Sequence, residues 1–134
     1  MPLNPYLMFN GNAREAATFY AEVFGSEPPQ FMTYGQMDPS SPPEITDKII
    51  HTFVTILDTK LMMSDDMGDS YREGNNFTLA YVGGDEEAIR SAFAKLADGG
   101  KVELELQETP WSKCYGQVVD KFGIKWQLSH EEGA

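Results

Sequence analysis

The sequence predicts an α+β fold in which one βαβββ module is used twice, and three observations predict it. First, the stretch Asn4 to Ala16 (NPYLMFNGNAREA) recurs as Asn76 to Ala88 (NFTLAYVGGDEEA). Asn4/Asn76, Leu7/Leu79, Gly11/Gly83, Glu15/Glu87 and Ala16/Ala88 coincide without a gap, and Phe9 is matched by Tyr81. A repeat this long is a folding unit, not a solenoid period of roughly 20 to 50 residues. Second, each copy is followed by an apolar face with helical spacing and then by short strand-like runs. Third, the last strand matches the first half at a different offset, pairing Lys60 with Lys125 and Ser64 with Ser129. The change of offset places the length difference in a Pro-rich loop.

Taken in order, residues 5–10 (PYLMFN) are a short apolar run bounded by Pro and Gly, which suits a strand. Asn12 stands three residues before Glu15, the spacing of a capping box. Ala16, Phe19, Tyr20, Val23 and Phe24 then form an apolar helical face, and Gly25 ends the helix. Residues 31–35 (FMTYG) are a candidate strand, and 36–47, with Pro39, Pro42 and Pro43, reads as an irregular loop. Residues 48–57 are a β-branched strand that turns at Asp58-Thr59 into 60–65, a hairpin, and 66–74 is a polar connection. In the second half Phe77 to Val82 is a strand. Asp85, Glu86 and Glu87 put negative charge at a helix start. Ala88, Ile89, Ala92, Phe93 and Leu96 are its buried face, and Asp98-Gly99-Gly100 stops it. Residues 101–106, 115–120 and 124–129 complete the strands, the last two joined by a turn at Lys121-Phe122-Gly123.

The chain has 134 residues, 41% hydrophobic and 23% charged, which suits one globular domain, 1–134, with internal modules of about 1–70 and 71–134. With 21 acidic against 10 basic residues the net charge is −11, which disfavours nucleic acid and anionic membrane as partners. Solubility explains the acidity; attraction of a cationic ligand is the alternative. The one cysteine, Cys114, forms no intramolecular disulfide, which fits a reducing compartment. No apolar run reaches the roughly 20 residues that span a bilayer. The first residues, MPLNPYLMFNG, lack the basic region of a secretory signal, so a cytoplasmic protein is expected.

A βαβββ unit has two sheet faces and one helix, so the uncovered face must be covered by something else or hold a ligand. Two curved mixed sheets side by side can wrap a cavity between them, and such domains tend to associate as symmetric pairs. Three segments carry a more specific likeness: PYLMFNGNAREAATFYAEVFG, HTFVTILDTKLMMSDD and YGQVVDKFGIKWQLS. Together they resemble the PhnB-like subgroup of the vicinal oxygen chelate superfamily, which includes glyoxalase I, bleomycin- and fosfomycin-resistance proteins and extradiol dioxygenases. The likeness covers nearly the whole chain and implies the glyoxalase-like fold, usually as a homodimer. Members of the subgroup have often been labelled 3-demethylubiquinone 3-methyltransferases. This sequence argues against that activity, because no Gly-rich loop of the kind that holds S-adenosylmethionine in a doubly wound fold follows its first strand.

The resemblance also implies where a divalent metal would sit: on the first and last strand of each module, through His, Glu or Gln. The matching positions are Pro5 or Tyr6, Met62, Phe77 or Thr78, and Gln127. Only Gln127 is a plausible ligand, whereas catalytic metal sites usually take three His, carboxylate or thiolate ligands. No metal ligand and no cofactor is therefore expected. His51 is the candidate catalytic residue, as a general base or ligand hydrogen-bond partner at a position where the subgroup carries His. A strand histidine satisfied by a backbone carbonyl or neighbouring hydroxyl is the other reading. His130 falls in the polar tail.

The candidate ligand-binding residues are Tyr6, Met62, Thr78, Trp111, Lys125 and Gln127. Met62 and Met63 suit an adaptable apolar pocket or the core. In 124–129, alternation puts Lys125, Gln127 and Ser129 on one face and Ile124, Trp126 and Leu128 on the other. Trp111, in a loop through Tyr115, can cap a pocket, join a dimer contact or simply pack. Cys114 beside Lys113 is read as non-catalytic, and Asp65, Asp66 and Asp69 as a solvated turn.

The expected activity is binding of a small organic ligand in the sheet-lined cavity. The alternatives are a metal-dependent lyase, isomerase or dioxygenase-type enzyme, a drug-sequestering resistance-type protein, and an interaction protein whose cavity is filled by Tyr6, Phe53 and Trp111.

Overall fold

The computed structural model describes residues 3–66, 68–69 and 71–133. The chain forms two compact units, Met1–Arg72 and Glu73–Ala134. The first contains β1 (Tyr6–Phe9), α1 (Ala13–Phe24), β2 (Met32–Thr33), α2 (Tyr34–Met37), β3 (Ile49–Ile56) and β4 (Thr59–Asp65). Its sheet runs β1-β4-β3-β2, with β1 parallel to β4 and the other pairs antiparallel. The second contains β5 (Leu79–Gly83), α3 (Glu86–Ala97), β6 (Lys101–Thr109), β7 (Ser112–Val119) and β8 (Lys125–His130). Its sheet runs β5-β8-β7-β6 with the same directions. The fold is therefore α+β, two tandem βαβββ modules with a four-stranded mixed sheet in each, the glyoxalase-like arrangement.

In the first unit α1 packs on β3 and β4. The centre of its buried face is Ala13, Ala16, Ala17, Tyr20, Ala21 and Val23, while Phe19 and Phe24 are only half-buried at the margins. Small residues at the centre let the helix backbone lie close to the sheet, where Leu7, Phe9, Val54, Ile56, Leu61 and Met63 are buried. Gly25 ends α1 in the left-handed conformation (φ 63°), and its N–H bonds back into the last turn.

The start of α1 differs from expectation. Asn12 makes no side-chain cap and no capping box with Glu15 forms. Instead Asp65, at the end of β4, accepts from the Ala13 N–H at 2.9 Å and from the Ile49 N–H at 2.8 Å. Asp65 is 2% exposed, so it is a buried structural carboxylate and not part of a solvated turn.

The expected strand 31–35 shrinks to two residues for a local reason. Thr33 and Gln36 form a capping box (3.1 and 2.9 Å) that starts α2 at Tyr34, inside the stretch expected to be strand and loop. The β3–β4 hairpin turns at Leu57-Asp58, one residue early, with Leu57 at φ 55°.

In the second unit α3 buries Ile89, Ala92, Phe93 and Leu96, and Asp85 caps it from within the sequence, accepting from the Glu87 and Ala88 N–H groups at 3.0 and 3.2 Å. Gly116 of β7 makes room for this helix: a Cβ there would lie 2.8 Å from the Phe93 ring. β6 and β7 extend beyond the expected 101–106 and 115–120 into a long hairpin turning at Pro110-Trp111, so residues 112–114 are strand and not loop. Asp120, buried, holds the next turn by accepting from the Phe122 N–H (2.8 Å), the Ile124 N–H (3.1 Å) and the Trp126 indole (2.9 Å).

β5 begins at Leu79, which leaves Phe77 and Thr78 just ahead of the strand. His130 ends β8 as a largely buried residue 3.2 Å from the Gly84 carbonyl, not as part of a polar tail.

The two parallel pairs also differ in register. Leu7 faces Met63, whereas its repeat partner Leu79 faces Trp126 and not Leu128, the residue that the sequence match Ser64/Ser129 would place there. A slip of two residues keeps every side chain on its own face, which is why the repeat tolerates it.

Candidate functional site

Strand alternation sorts each sheet into a helix-covered face and an open face. In the first unit the open face carries Tyr6 and Met8 from β1, His51 and Phe53 from β3, and Met62 from β4, with Met32 paired opposite His51. Tyr6, Met8, Met32 and Phe53 are all exposed large hydrophobic residues. Met62 lies between Tyr6 and Phe53, its Cα partners on the two sides, while Met63 is fully buried in the core.

The Tyr6 hydroxyl is 3.2 Å from His51 Nδ1, with the rings tilted at 5.8 Å between centroids. Among the described residues, the hydrogen-bond partner of His51 is thus a phenol and not a carboxylate. If the phenol donates to Nδ1, the imidazole proton sits on Nε2 and can be offered to a ligand acceptor; in the opposite tautomer Nε2 carries a lone pair and can take a proton. Lys60 Nζ lies 4.8 Å from the Phe53 ring centroid, bringing one positive charge to this apolar face.

The open face of the second unit is polar. Gln117 Nε2 donates to the Tyr115 hydroxyl at 3.0 Å, and that hydroxyl donates to Gln127 Oε1 at 2.8 Å. Gln117 and Gln127 are cross-strand partners in β7 and β8. They share a depression of about 90 Å³ with Thr78, Glu103, Lys125 and Trp126. Three expected ligand-binding residues, Thr78, Lys125 and Gln127, are therefore brought together, as are Tyr6, Met62 and His51 in the first unit.

Trp111 joins neither group. It sits at the β6–β7 hairpin tip, 67% exposed, and lines a separate hollow of about 300 Å³ with Glu108, Lys113, His130, Glu131 and Glu132. Its ring meets Tyr115 edge-on at 5.4 Å, which links it to Gln127 only through that phenol. In this hollow Lys113 and Glu132 pair at 2.6 Å, which raises the lysine's pKa and lowers the carboxyl's. Lys113 thus turns away from Cys114, whose thiol is pushed up by burial and only partly offset by Arg90.

Sequence reasoning missed Tyr115, Gln117 and Glu103. The first two were within reach, since alternation inside 115–120 puts both on one face. Glu103 comes from the strand farthest from β5 in the sheet, and only the folded sheet brings it to the same depression as Lys125.

A family model described as 3-demethylubiquinone-9 3-methyltransferase matches residues 2–129. The chain belongs to this PhnB-like family. Within the family's reach, Protein YjdN of Escherichia coli is 33% identical, over 96% of this chain and 95% of that protein. The crystal structure of PA1353 from Pseudomonas aeruginosa is 30% identical, covers 98% of both chains and superimposes with a TM-score of 0.84. A structure titled as a putative 3-demethylubiquinone-9 3-methyltransferase, PhnB protein, from Bacillus cereus is 27% identical, covers 98% of this chain and all of that one, and gives a TM-score of 0.77. Among the described residues of this family member, no three His, Cys, Asp or Glu side chains are grouped so that they could hold a metal ion, and no helix is long and apolar enough to cross a membrane.

Proposed function

We propose that this PhnB-like protein binds a small organic molecule against an open sheet face and does so without a divalent metal. The observation that carries the reading is the Tyr6–His51 pair at 3.2 Å, set among exposed Met8, Met32 and Phe53. An apolar surface with one oriented polar pair suits a mostly hydrocarbon moiety with an acceptor or acidic proton at this face. His51 supplies the hydrogen bond or acts as base, Tyr6 orients it, and Met62 shapes the surface. On the second unit's own open face Thr78, Lys125 and Gln127 offer polar contacts, and Trp111, in its separate hollow, takes no part in either group.

The donor set does not fit a divalent ion. The positions that the resemblance matches to the superfamily's ligands hold proline or a phenol, a thioether, a phenyl ring or a hydroxyl, and an amide, and the amide carbonyl of Gln127 already accepts from Tyr115. Methyl transfer, which the family description names, finds no support in the fold. Each sheet is mixed, with β1 or β5 at an edge, unlike the doubly wound parallel sheet that cradles S-adenosylmethionine. We also read the protein as a cytoplasmic homodimer; the exposed apolar residues of the first unit and the family resemblance support the pairing.

Mass spectrometry of small molecules that co-purify under native conditions is expected to identify a bound compound, and His51→Ala to lose it. If His51→Ala leaves both ligand affinity and any turnover untouched, the assignment is wrong. Elemental analysis of freshly purified protein is expected to find no stoichiometric divalent metal; one tightly held ion per chain, with activity lost to chelator, would replace this reading by the metal-dependent one.

A further inference from the structure

We infer that the depression on the second unit is a subsite for a dipolar head group, one that carries an anionic or acceptor end and a cationic or donor end within one small moiety. The inference rests on the ligand-binding reading above and specifies the chemistry that the second unit's open face takes.

Three features carry it. Lys125 and Glu103 both line the depression, and they form no ion pair with each other; Lys125 Nζ reaches only the Asn75 carbonyl, at 3.4 Å. The hydrogen-bond chain from Gln117 through Tyr115 to Gln127 uses the Gln117 amide nitrogen and the Gln127 carbonyl. It therefore leaves the Gln117 carbonyl free to accept and the Gln127 amide nitrogen free to donate. With one lysine and one glutamate the lining has no net charge, in a chain whose net charge is −11. A bare anion would be held by Lys125 and Gln127 but repelled by Glu103. A bare cation would meet the reverse. Only a ligand that presents both ends satisfies all four groups at once, and unmatched ends would leave polar groups unpaired. A volume of about 90 Å³ holds about three water molecules, so the moiety is the size of an amino-acid head group.

The test uses the full-length ¹⁵N-labelled protein and three probes at constant ionic strength: glycine, acetate and methylammonium. The side-chain amide signals of Gln117 and Gln127 are followed by NMR. Glycine is expected to shift both signals saturably with a millimolar dissociation constant, and acetate and methylammonium to bind about tenfold or more weakly. Glu103→Gln and Lys125→Met are each expected to weaken glycine by about tenfold. Both residues are at least partly exposed, and the dispersion of the backbone spectrum reports whether each variant is folded.

Equal responses to glycine and acetate, or insensitivity of glycine binding to both substitutions, overturn the inference. A co-purified molecule that is retained while both amide signals stay in place overturns the dipolar subsite and leaves the binding reading standing. Saturable glycine binding in a chain that retains no molecule and ignores His51→Ala does the opposite.

Discussion

The two units share one topology but solve the same physical problems with different residues. Each has a helix whose first N–H groups need partners. In the first unit that partner is Asp65, 52 positions from the Ala13 N–H it accepts; in the second it is Asp85, immediately before the helix. Each also buries one carboxylate that gathers several N–H donors, Asp65 between α1 and β3 and Asp120 in the β7–β8 turn. The open faces diverge most. One is thioether and aromatic around a Tyr–His pair; the other is amide and charge around a Tyr–Gln pair. Duplication thus preserved what the backbone needs, and the side chains on the uncovered faces diverged.

The comparison is broken most decisively at the buried carboxylates. Asp65→Ala and Asp120→Ala are each expected to destabilise the protein by about 3 to 5 kcal/mol, because each strands two or more buried or part-buried N–H donors. Urea denaturation reads this; a loss under about 1 kcal/mol at either site would show that water replaces the carboxylate.

The caps sharpen it. Asp85→Ala should cost about 1 kcal/mol, the usual worth of a side-chain cap. Asn12→Ala should be close to neutral, since Asn12 makes no cap bond. Equal costs at the two positions would erase the distinction between the helices.

On the open faces, His51→Ala and Tyr6→Phe should change stability by no more than about 0.5 kcal/mol, as surface substitutions do. Tyr6→Phe should also change the chemical shifts of the His51 ring signals in NMR, because it removes the partner of Nδ1.

The smallest effect concerns Cys114. Burial raises its thiol pKa, so alkylation in the native state should be slow at pH 8 and rapid after unfolding. The sign follows from linkage. The neutral thiol is favoured in the folded protein, so its contribution is intact below the ordinary thiol range and is lost as pH rises through the raised value. Rapid native alkylation would place Cys114 in contact with solvent.

Much of this fold was legible because it is written in short-range periodicity. The gapless repeat, the helical faces of 16–24 and 88–96 and the alternation of 124–129 each depend on neighbours in sequence. The errors have one origin. Asn12 and Glu15 have capping-box spacing, yet a carboxylate from β4 took the position; FMTYG has strand composition, yet Thr33 and Gln36 close a helical turn. At the candidate site, alternation found Lys125 and Gln127, and the resemblance pointed to His51. Neither could show that Tyr6 would hydrogen-bond His51 from another strand, or that Glu103 would line the same depression as Lys125.

By itself the sequence determined the module, its duplication and which side chains share a face, because these follow from the periods of helix and strand along the chain. Only the tertiary structure decided which faces of different strands meet, which carboxylates are buried and which charges line one depression. Those outcomes depend on strand order and register, and a two-residue slip such as the one between the two parallel pairs leaves no trace in the local pattern.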